Sequence, residues 1–283
     1  MEPQSSGDSK DYVYDSDRAE EERRLIAQAR YLDPITEGMF RDAGLGSGMH
    51  VLDIGSGAGD VALLASRLVG PAGSVLGVER SADAVALAQR RFAAAGITNI
   101  SLVQGDLTDL TALLETHARS FDALVGRAIL MHLADPAAIL RKGARWLRPG
   151  GLVCFHESDL TYDYAVPRSP LWEEVRTWLF RTAEHVGVDA RMGLTLHQTF
   201  RSADLPAPSL RIEAPLGSGD AAPVFFWVDL IRGLLPLMEK LGVATAAEVD
   251  VDTLYDRLTM ETAAYDGVVL GPLCIGAWTH ILG

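Results

Sequence analysis

The stretch VLDIGSGAGD, residues 51–60, decides the fold of this chain. It places three glycines within five residues, directly after a short apolar run. An apolar strand followed by a glycine-rich turn is typical of the start of an α/β unit. Since glycine has no Cβ, another molecule can lie close against its backbone. The stretch therefore predicts a ligand-binding turn at the carboxyl end of a buried strand.

Short apolar segments alternate with amphipathic segments as far as residue 155. The predicted strands are residues 49–54, 74–78, 100–103, 123–125 and 152–155, and the predicted helices between them are residues 61–69, 82–95 and 136–147. This alternation predicts an α/β fold with a parallel, doubly wound sheet and right-handed crossovers. Residues 18–43 follow a helical pattern, which Pro34 is expected to break into two helices.

The pattern changes after Asp159. The predicted helices there are residues 170–186, 224–241 and 251–264, and the predicted strands are residues 210–214 and 272–282. We therefore expect a mobile acidic arm at residues 1–17, a ligand-binding core with N-terminal helices at 18–160, and a helical cap with the final strands at 161–283.

Composition excludes several classes of function. The 283 residues carry a formal net charge of −13, which argues against nucleic-acid and anionic-membrane partners. The sequence has no membrane-spanning apolar run and no secretory leader, so we expect a cytoplasmic protein. Cys154 and Cys274 lie far apart without metal-ligand spacing, so we expect reduced core thiols and no metal site.

The spacing of the glycines restricts the ligand. A dinucleotide fingerprint G-x-G-x-x-G starting at Gly55 needs a third glycine at position 60, which is Asp60 here. The carboxylate of Asp53 would also repel a pyrophosphate, whereas it suits a cationic ligand. A Walker loop is excluded because no Gly-Lys-Ser/Thr follows.

Five ordered segments together resemble the class I S-adenosylmethionine (SAM) dependent methyltransferases. They are residues 51–59, Gly77-Val78-Glu79, Gln104-Gly105-Asp106-Leu107, residues 121–125 and residues 147–151. The resemblance is clear over residues 51–157 and weak beyond them. It implies a Rossmann-like methyltransferase fold with a doubly wound, seven-stranded, mostly parallel sheet, and SAM as the cofactor.

The resemblance also implies which residues hold the cofactor. They are Tyr31, Asp53, Gly55, Ser56, Gly57, Gly59, Glu79, Arg80, Asp106, Leu107 and Arg127. Glu79 matches the family position that holds both ribose hydroxyls, and its two oxygens can accept two such donors. Asp106 matches the position against the adenine amino group. Taken singly, Glu79 is equally well an exposed charge and Asp106 a helix N-cap.

Candidate catalytic groups follow the fourth and fifth predicted strands. His132 is either a general base or a residue that supports the cofactor's methionine moiety. Arg127 either binds a carboxylate of the acceptor or cofactor, or pairs with a neighbouring acid. Four polar residues, His156-Glu157-Ser158-Asp159, come directly after the fifth predicted strand. We expect His156 and Glu157 to be catalytic or wall residues and Asp159 to contact the acceptor.

Aromatic side chains are expected around the acceptor. Tyr12 and Tyr14 either close over the bound molecules together with Tyr31 or belong to a disordered tail. The cap contributes Trp172, Trp178, Phe225, Phe226 and Trp227. Aromatics at helical spacing are more often core residues, but any that face the cavity favour an apolar or aromatic acceptor.

These observations together predict a SAM-dependent methyltransferase for a small molecule, in specialised metabolism. The scarcity of cysteines argues against arsenic methylation. A SAM-binding cyclase or pericyclase, a non-catalytic SAM-binding subunit and a nicotinamide enzyme remain as alternatives, in that order. The apolar helix after Pro223 is a candidate homodimer face.

Overall fold

The computed structural model describes residues 31–115 and 120–282. The helices of eight or more residues are α1 (31–42), α2 (Asp60–Val69), α3 (Ala82–Ala94), α5 (Pro136–Ala144), α6 (Pro170–Val186), α7 (Met192–Ser202), α8 (Val224–Lys240) and α10 (Val251–Ala264), and the one-turn helices are α4 (Leu110–Leu113) and α9 (Ala246–Val249). The strands are β1 (His50–Ile54), β2 (Ser74–Glu79), β3 (Ile100–Gln104), β4 (Phe121–Arg127), β5 (Leu147–Asp159), β6 (Ala165–Val166), β7 (Ser209–Glu213), β8 (Leu216–Gly217), β9 (Val268–Leu270) and β10 (Leu273–His280).

Seven strands form the main sheet, in the order β3-β2-β1-β4-β5-β10-β7. The first five are parallel to one another, and β10 runs antiparallel to both β5 and β7. The strand order reverses direction at β1, so the turns after β1 and β4 lie side by side at the carboxyl edge. This is where an open parallel sheet binds its ligands. The doubly wound, seven-stranded, mostly parallel sheet is confirmed.

Each face of the main sheet has its own apolar core. Helices α1, α2 and α3 cover one face, through Phe40, Leu64 and Phe92 among others. Helices α5 and α7 cover the other face, where Phe200 packs edge-on against Phe155 of β5 with ring centroids 6.4 Å apart. A parallel sheet needs this cover because both of its faces are apolar.

The cap is a third apolar cluster. It consists of α6, α8 and α10 with the small sheet β6-β9-β8, and its centre is the fully buried Trp227. Trp227 stacks on Tyr164 with centroids 3.8 Å apart and donates a hydrogen bond from Nε1 to the carbonyl of Leu270 at 2.8 Å. The apolar side chains of α8, including Ile231 and Met238, are buried in this cluster. Phe225 of the same helix is exposed, and the expected dimer face stays a prediction.

Three sequence-based expectations about secondary structure are wrong. Helix α1 includes Pro34, so the break expected at this residue is not present in the described residues 31–42. Strand β5 extends to Asp159, so the polar residues expected after it lie within it. Helix α7 and the small sheet were not predicted.

Other expectations concern thiols, metals and membranes. Cys154 and Cys274 are buried and free, on the adjacent strands β5 and β10, which confirms the core thiols. Over residues 31–115 and 120–282 no cluster of three or more histidine, cysteine or acidic side chains could hold a metal ion. In the same ranges no helix is both long and apolar enough to cross a bilayer.

Candidate functional site

The glycine turn after β1 is held by backbone hydrogen bonds to β2. The N–H groups of Gly55 and Ser56 both donate to the carbonyl of Val78, at 2.9 and 3.1 Å. Gly59 has φ +85°, and a Cβ built on it would lie 2.5 Å from the ring of Phe92. Only glycine therefore fits there.

Asp60 stands where a dinucleotide fingerprint has its third glycine. Its carboxylate accepts a hydrogen bond from Arg91 of α3 at 2.5 Å, and the same guanidinium donates to the carbonyl of Ala58 at 2.5 Å. Asp60 thus anchors the turn to α3. This pairing was not recognised in the sequence because Arg91 lies 31 residues further along the chain.

Asp53 is the penultimate residue of β1, just before the turn. The residue is fully buried, and neither carboxylate oxygen has a hydrogen-bond partner in the described structure. Burial raises the pKa of Asp53 to about 7, although the hydroxyl of Ser56 and the charge of Arg127 oppose this shift. A buried carboxylate without partners is costly. It is well suited to a ligand that brings a positive charge and N–H donors.

Glu79 ends β2 and is also buried. Its Oε2 accepts a hydrogen bond from the N–H of Gly57 at 2.9 Å, and its Oε1 accepts one from the N–H of Ser81 at 2.8 Å. Each carboxylate oxygen can accept two hydrogen bonds. One acceptor position on each oxygen is therefore left for a pair of hydroxyl groups. The alternative reading of Glu79 as an exposed charge is excluded by its burial.

Asp106 and its neighbours form the outer side of the site. Asp106 is exposed and caps a short 3₁₀ turn, where its Oδ1 accepts from the N–H and the hydroxyl of Thr108, both at 2.8 Å. These two bonds lower the pKa of Asp106. The N-cap reading of Asp106 is thus correct, and its Oδ2 is not engaged in these bonds. Leu107 is buried beneath it, and Arg80 is exposed at the end of β2.

His132 lies in the 3₁₀ turn after β4 and is exposed at the rim of the site. Partial desolvation of its ring, and then the positive charge of Arg80, lower its pKa below the usual value of 6.5. His132 thus follows β4, whereas Arg80 follows β2. The cap is at the other end, beyond β5.

Arg127 joins α1 to the carboxyl end of β4. Its Nη1 donates to Oδ1 of Asp33 and to Oγ1 of Thr36, both at 3.0 Å. Only 9% of its side chain is exposed. The hydroxyl of Thr36 also lies 2.8 Å from Nδ1 of His156 on β5. Asp33 and Thr36 were missed in the sequence, where their spacing of three on a helical segment is the only signal.

His156 and Glu157 point to opposite faces of β5. His156 is buried towards α1, and burial followed by the charge of Arg127 lowers its pKa to about 3. Glu157 is buried towards the β4 turn, and its Oε1 accepts from the N–H groups of Ile129 and Leu130 at 3.0 and 2.8 Å. Burial raises the pKa of Glu157 to about 7 against these hydrogen bonds.

The remaining predicted residues are placed less centrally. Asp159 is buried, with Oδ1 bonded to the N–H and hydroxyl of Thr161 at 2.9 and 2.8 Å. Tyr31 packs on the cap, with its ring centroid 5.7 Å from that of Phe225 and 5.4 Å from that of Phe226. Tyr12 and Tyr14 lie outside the described residues.

Comparisons with known proteins agree with this geometry. A family model described as "Methyltransferase domain" matches residues 45–203. An arsenite methyltransferase from Aquipseudomonas alcaligenes is 38% identical over 117 residues, which are 39% of this chain and 33% of that protein. A demethylmenaquinone methyltransferase from Shouchella clausii is 31% identical over 136 residues, 48% of this chain and 53% of that protein.

A solved structure of a putative methyltransferase from Bacillus halodurans C-125 has the same fold. It aligns with a TM-score of 0.56 at 15% identity, covering 87% of this chain and 98% of that one. The matched parts of the curated relatives are a third to a half of their own length. The matched residues 45–203 of the family model include strands β1 to β5 and the glycine turn.

Proposed function

We propose that this chain, which belongs to the methyltransferase domain family, transfers a methyl group from SAM to a small organic acceptor. One observation carries the proposal. The carboxylate of Asp53 is buried without a partner beside the glycine turn. SAM brings a cationic ammonium group, which would supply the missing donors.

Several side chains of the site suit the other parts of SAM. The free acceptor positions of Glu79 suit the two ribose hydroxyls, and the exposed carboxylate of Asp106 suits the adenine amino group. The guanidinium of Arg127 is close enough to Asp53 to oppose the rise in its pKa. A positive charge there favours the carboxylate of the methionine moiety.

When bound, SAM would supply an electrophilic methyl group: an electron pair of the acceptor atom would form the new bond, the carbon–sulfur pair would remain on sulfur as S-adenosylhomocysteine, and a proton carried by the acceptor atom would pass to solvent water. The protein's task is mainly alignment of the two reactants and exclusion of water. His156 is enclosed and its pKa is about 3, so at neutral pH it is an uncharged hydrogen-bonding group. We therefore assign it to the support of α1, not to proton removal.

The exposed end of an aromatic series favours an apolar or aromatic acceptor. Six aromatic side chains form a continuous series of ring contacts between α1 and the cap: Phe225, Tyr31, Phe226, Trp227, Tyr164 and Tyr162. Trp227 and Tyr164 are buried in the cap core, whereas the ring of Phe225, which contacts Tyr31, is exposed. An exposed aromatic ring suits a planar apolar molecule, and on this basis we propose an acceptor of specialised metabolism.

The thiols argue against arsenite as the acceptor. Arsenite, like other soft centres, is bound by thiolates. Cys154 and Cys274 are both buried, and burial raises the pKa of each thiol. Along the paired strands Cys154 is opposite Trp278 and Cys274 is opposite Ser158, four residues away. The two thiols are thus too far apart to hold one atom.

Titration of the protein with SAM, S-adenosylhomocysteine and NAD tests the proposal. We expect micromolar binding of the two adenosyl compounds and none of NAD, followed by release of S-adenosylhomocysteine with a suitable aromatic acceptor. Binding of NAD but of neither adenosyl compound would refute the assignment of SAM as the cofactor. Conversion of an acceptor without S-adenosylhomocysteine would instead favour the cyclase alternative.

A further inference from the structure

The turn after β4 is built to receive an anion. Ala128 has φ +50°, in the left-handed region, and the N–H groups of the next two residues point the same way. Successive N–H groups beside a left-handed residue form a concave anion site. The carboxylate of Glu157 fills it, with Oε1 at 3.0 Å from the nitrogen of Ile129 and 2.8 Å from that of Leu130.

The turn after β4 also places Ile129 against the glycine turn that follows β1. A Cβ built on Gly55 would collide with the side chain of Ile129, and one built on Gly126 would lie 2.9 Å from its Cγ2. Ile129 therefore fills the space above two glycines, one at the end of β1 and one in β4. Its position depends on the backbone of residues 128–130, which Glu157 holds.

Glu157 has no comparable contact on the acceptor side. It points away from His156 and α1, and its Oε2 has no hydrogen-bond partner in the described structure. Its Oε1 is bonded to the turn after β4. The expected role of Glu157 in the wall of the acceptor pocket stays a prediction.

We propose that Glu157 is a positioning residue for the cofactor: by holding the β4 turn it sets Ile129 against Gly55 and so shapes the glycine turn. This inference rests on the proposed function. Without the carboxylate, the two N–H groups would be buried and unpaired, and the strained Ala128 would lose its support. Ile129 would then move off the glycine turn.

Two substitutions of Glu157, to Gln and to Leu, test this role, and the same two substitutions of Glu261 serve as controls. Glu157→Gln keeps an oxygen that can accept both bonds, whereas Glu157→Leu keeps none. Glu261 is the control, because its Oε1 likewise accepts a backbone N–H, that of Leu171, at 2.8 Å but within the cap. The probe is S-adenosylhomocysteine, measured by calorimetry.

We expect Glu157→Leu to weaken binding of S-adenosylhomocysteine by about tenfold or more, the effect of losing paired buried N–H groups. Glu157→Gln should weaken it by no more than about threefold, because a neutral amide oxygen accepts more weakly than a carboxylate. Under turnover, the KM for SAM should rise while kcat at saturating SAM stays the same. Both Glu261 variants should bind like the wild type. Wild-type affinity in Glu157→Leu would refute the role.

Amide hydrogen exchange separates this inference from the proposed function. In Glu157→Gln without any ligand, we expect faster exchange confined to residues 128–132. This readout needs no cofactor and still applies if the Leu variant fails to fold. Unchanged exchange in a protein that binds SAM would overturn the inference alone. Failure of the wild type to bind SAM would overturn the proposed function.

Discussion

Glu79 accepts a hydrogen bond from the backbone N–H of Gly57 at 2.9 Å. The acidic residue at the end of β2 is thus tied to the turn that follows β1. The same carboxylate binds the N–H of Ser81 at the start of α3. One buried side chain therefore fixes the relative position of two neighbouring strand ends, and its free acceptor positions face the proposed ribose site.

Removing the carboxylate of Glu79 should strongly weaken the binding of SAM. A hydrogen bond to a charged group contributes roughly 1.5–3 kcal/mol, so loss of two from Glu79→Ala should weaken SAM binding by about 100-fold. Glu79→Gln should cost about tenfold, because the amide still accepts one bond. Calorimetric titration with SAM measures both. Glu37→Ala, which removes an exposed pair with Arg41, should bind normally; equal affinities in all variants would remove Glu79 from the ribose site.

Asp53→Asn should raise the thermal stability of the protein and lower its affinity for SAM. The folded state raises the pKa of Asp53 from 3.8 to about 7, so it favours the protonated form. The contribution of Asp53 to the free energy of unfolding is therefore fully present at pH values below the pKa of the unfolded chain, and it is lost as the pH rises from about 4 to 7. Without cofactor, the Asn variant should therefore exceed the wild type in Tm at pH 8 by more than at pH 5. Its affinity for SAM should fall by about tenfold or more.

Thermal unfolding at the two pH values, with and without SAM, measures this exchange. Asp122→Asn is the control, because Asp122 is paired with Arg148 at 2.5 Å and with the N–H of His50 at 2.8 Å. That variant should be less stable than the wild type at both pH values. If Asp53→Asn is no more stable than the wild type at pH 8, the conclusion that the carboxylate of Asp53 is buried without hydrogen-bond partners is wrong.

His132→Gln should affect binding more than chemistry. His132 follows β4, at the same edge of the sheet as the glycine turn, and desolvation followed by the charge of Arg80 lowers its pKa. We expect the Kd for SAM to rise about threefold to tenfold, as for one hydrogen-bonding contact, with kcat changed by less than about threefold. A general base would instead lower kcat by about a hundredfold or more. Steady-state kinetics at saturating SAM decides between the two, with the exposed His185→Gln as control.

Gly271→Ala should separate α1 from the cap. A Cβ at Gly271 would collide with the hydroxyl of Tyr31 and lie 3.3 Å from Cδ of Pro215. Overpacking of this kind costs roughly 1–3 kcal/mol, so we expect a lower Tm and a higher KM for the acceptor. Tyr31→Phe in the same chain should recover part of the loss by removing the hydroxyl. Gly46→Ala, which meets only a backbone oxygen at 3.9 Å, should behave like the wild type.

Sequence reasoning predicted the elements with strong periodicity and clear ends. Helices α6 and α10 have the predicted bounds, and the glycine turn lies where its spacing required. Strand β5 was predicted too short because His156, Glu157 and Asp159 look like loop residues. They belong to the strand because residues 152–159 pair with β10. The side-chain partners of His156 and Glu157 lie in α1 and the β4 turn, and partners distant in sequence leave no local signal.

The same limit applies to the site. Asp53 and Glu79 could be selected from their strand ends, but neither the missing partners of Asp53 nor the bond from Glu79 to Gly57 follows from spacing. Helix α7 was missed because its buried face includes Gly193 and Thr199, which weaken an apolar pattern. The strands of the small sheet have two or three residues each, which is too short to show a period.

The cap is inserted into the chain at two places. One excursion leaves after β5 and returns before α7, and the other leaves after β7 and returns before β10. The cap has an apolar centre of its own around Trp227, while the strand ends that carry Asp53 and Glu79 belong entirely to the main sheet. Under the proposed function, acceptor choice and cofactor use are encoded in separable parts of the gene, so that recombination of the two inserted segments is a route to new acceptors with the proposed cofactor site kept intact.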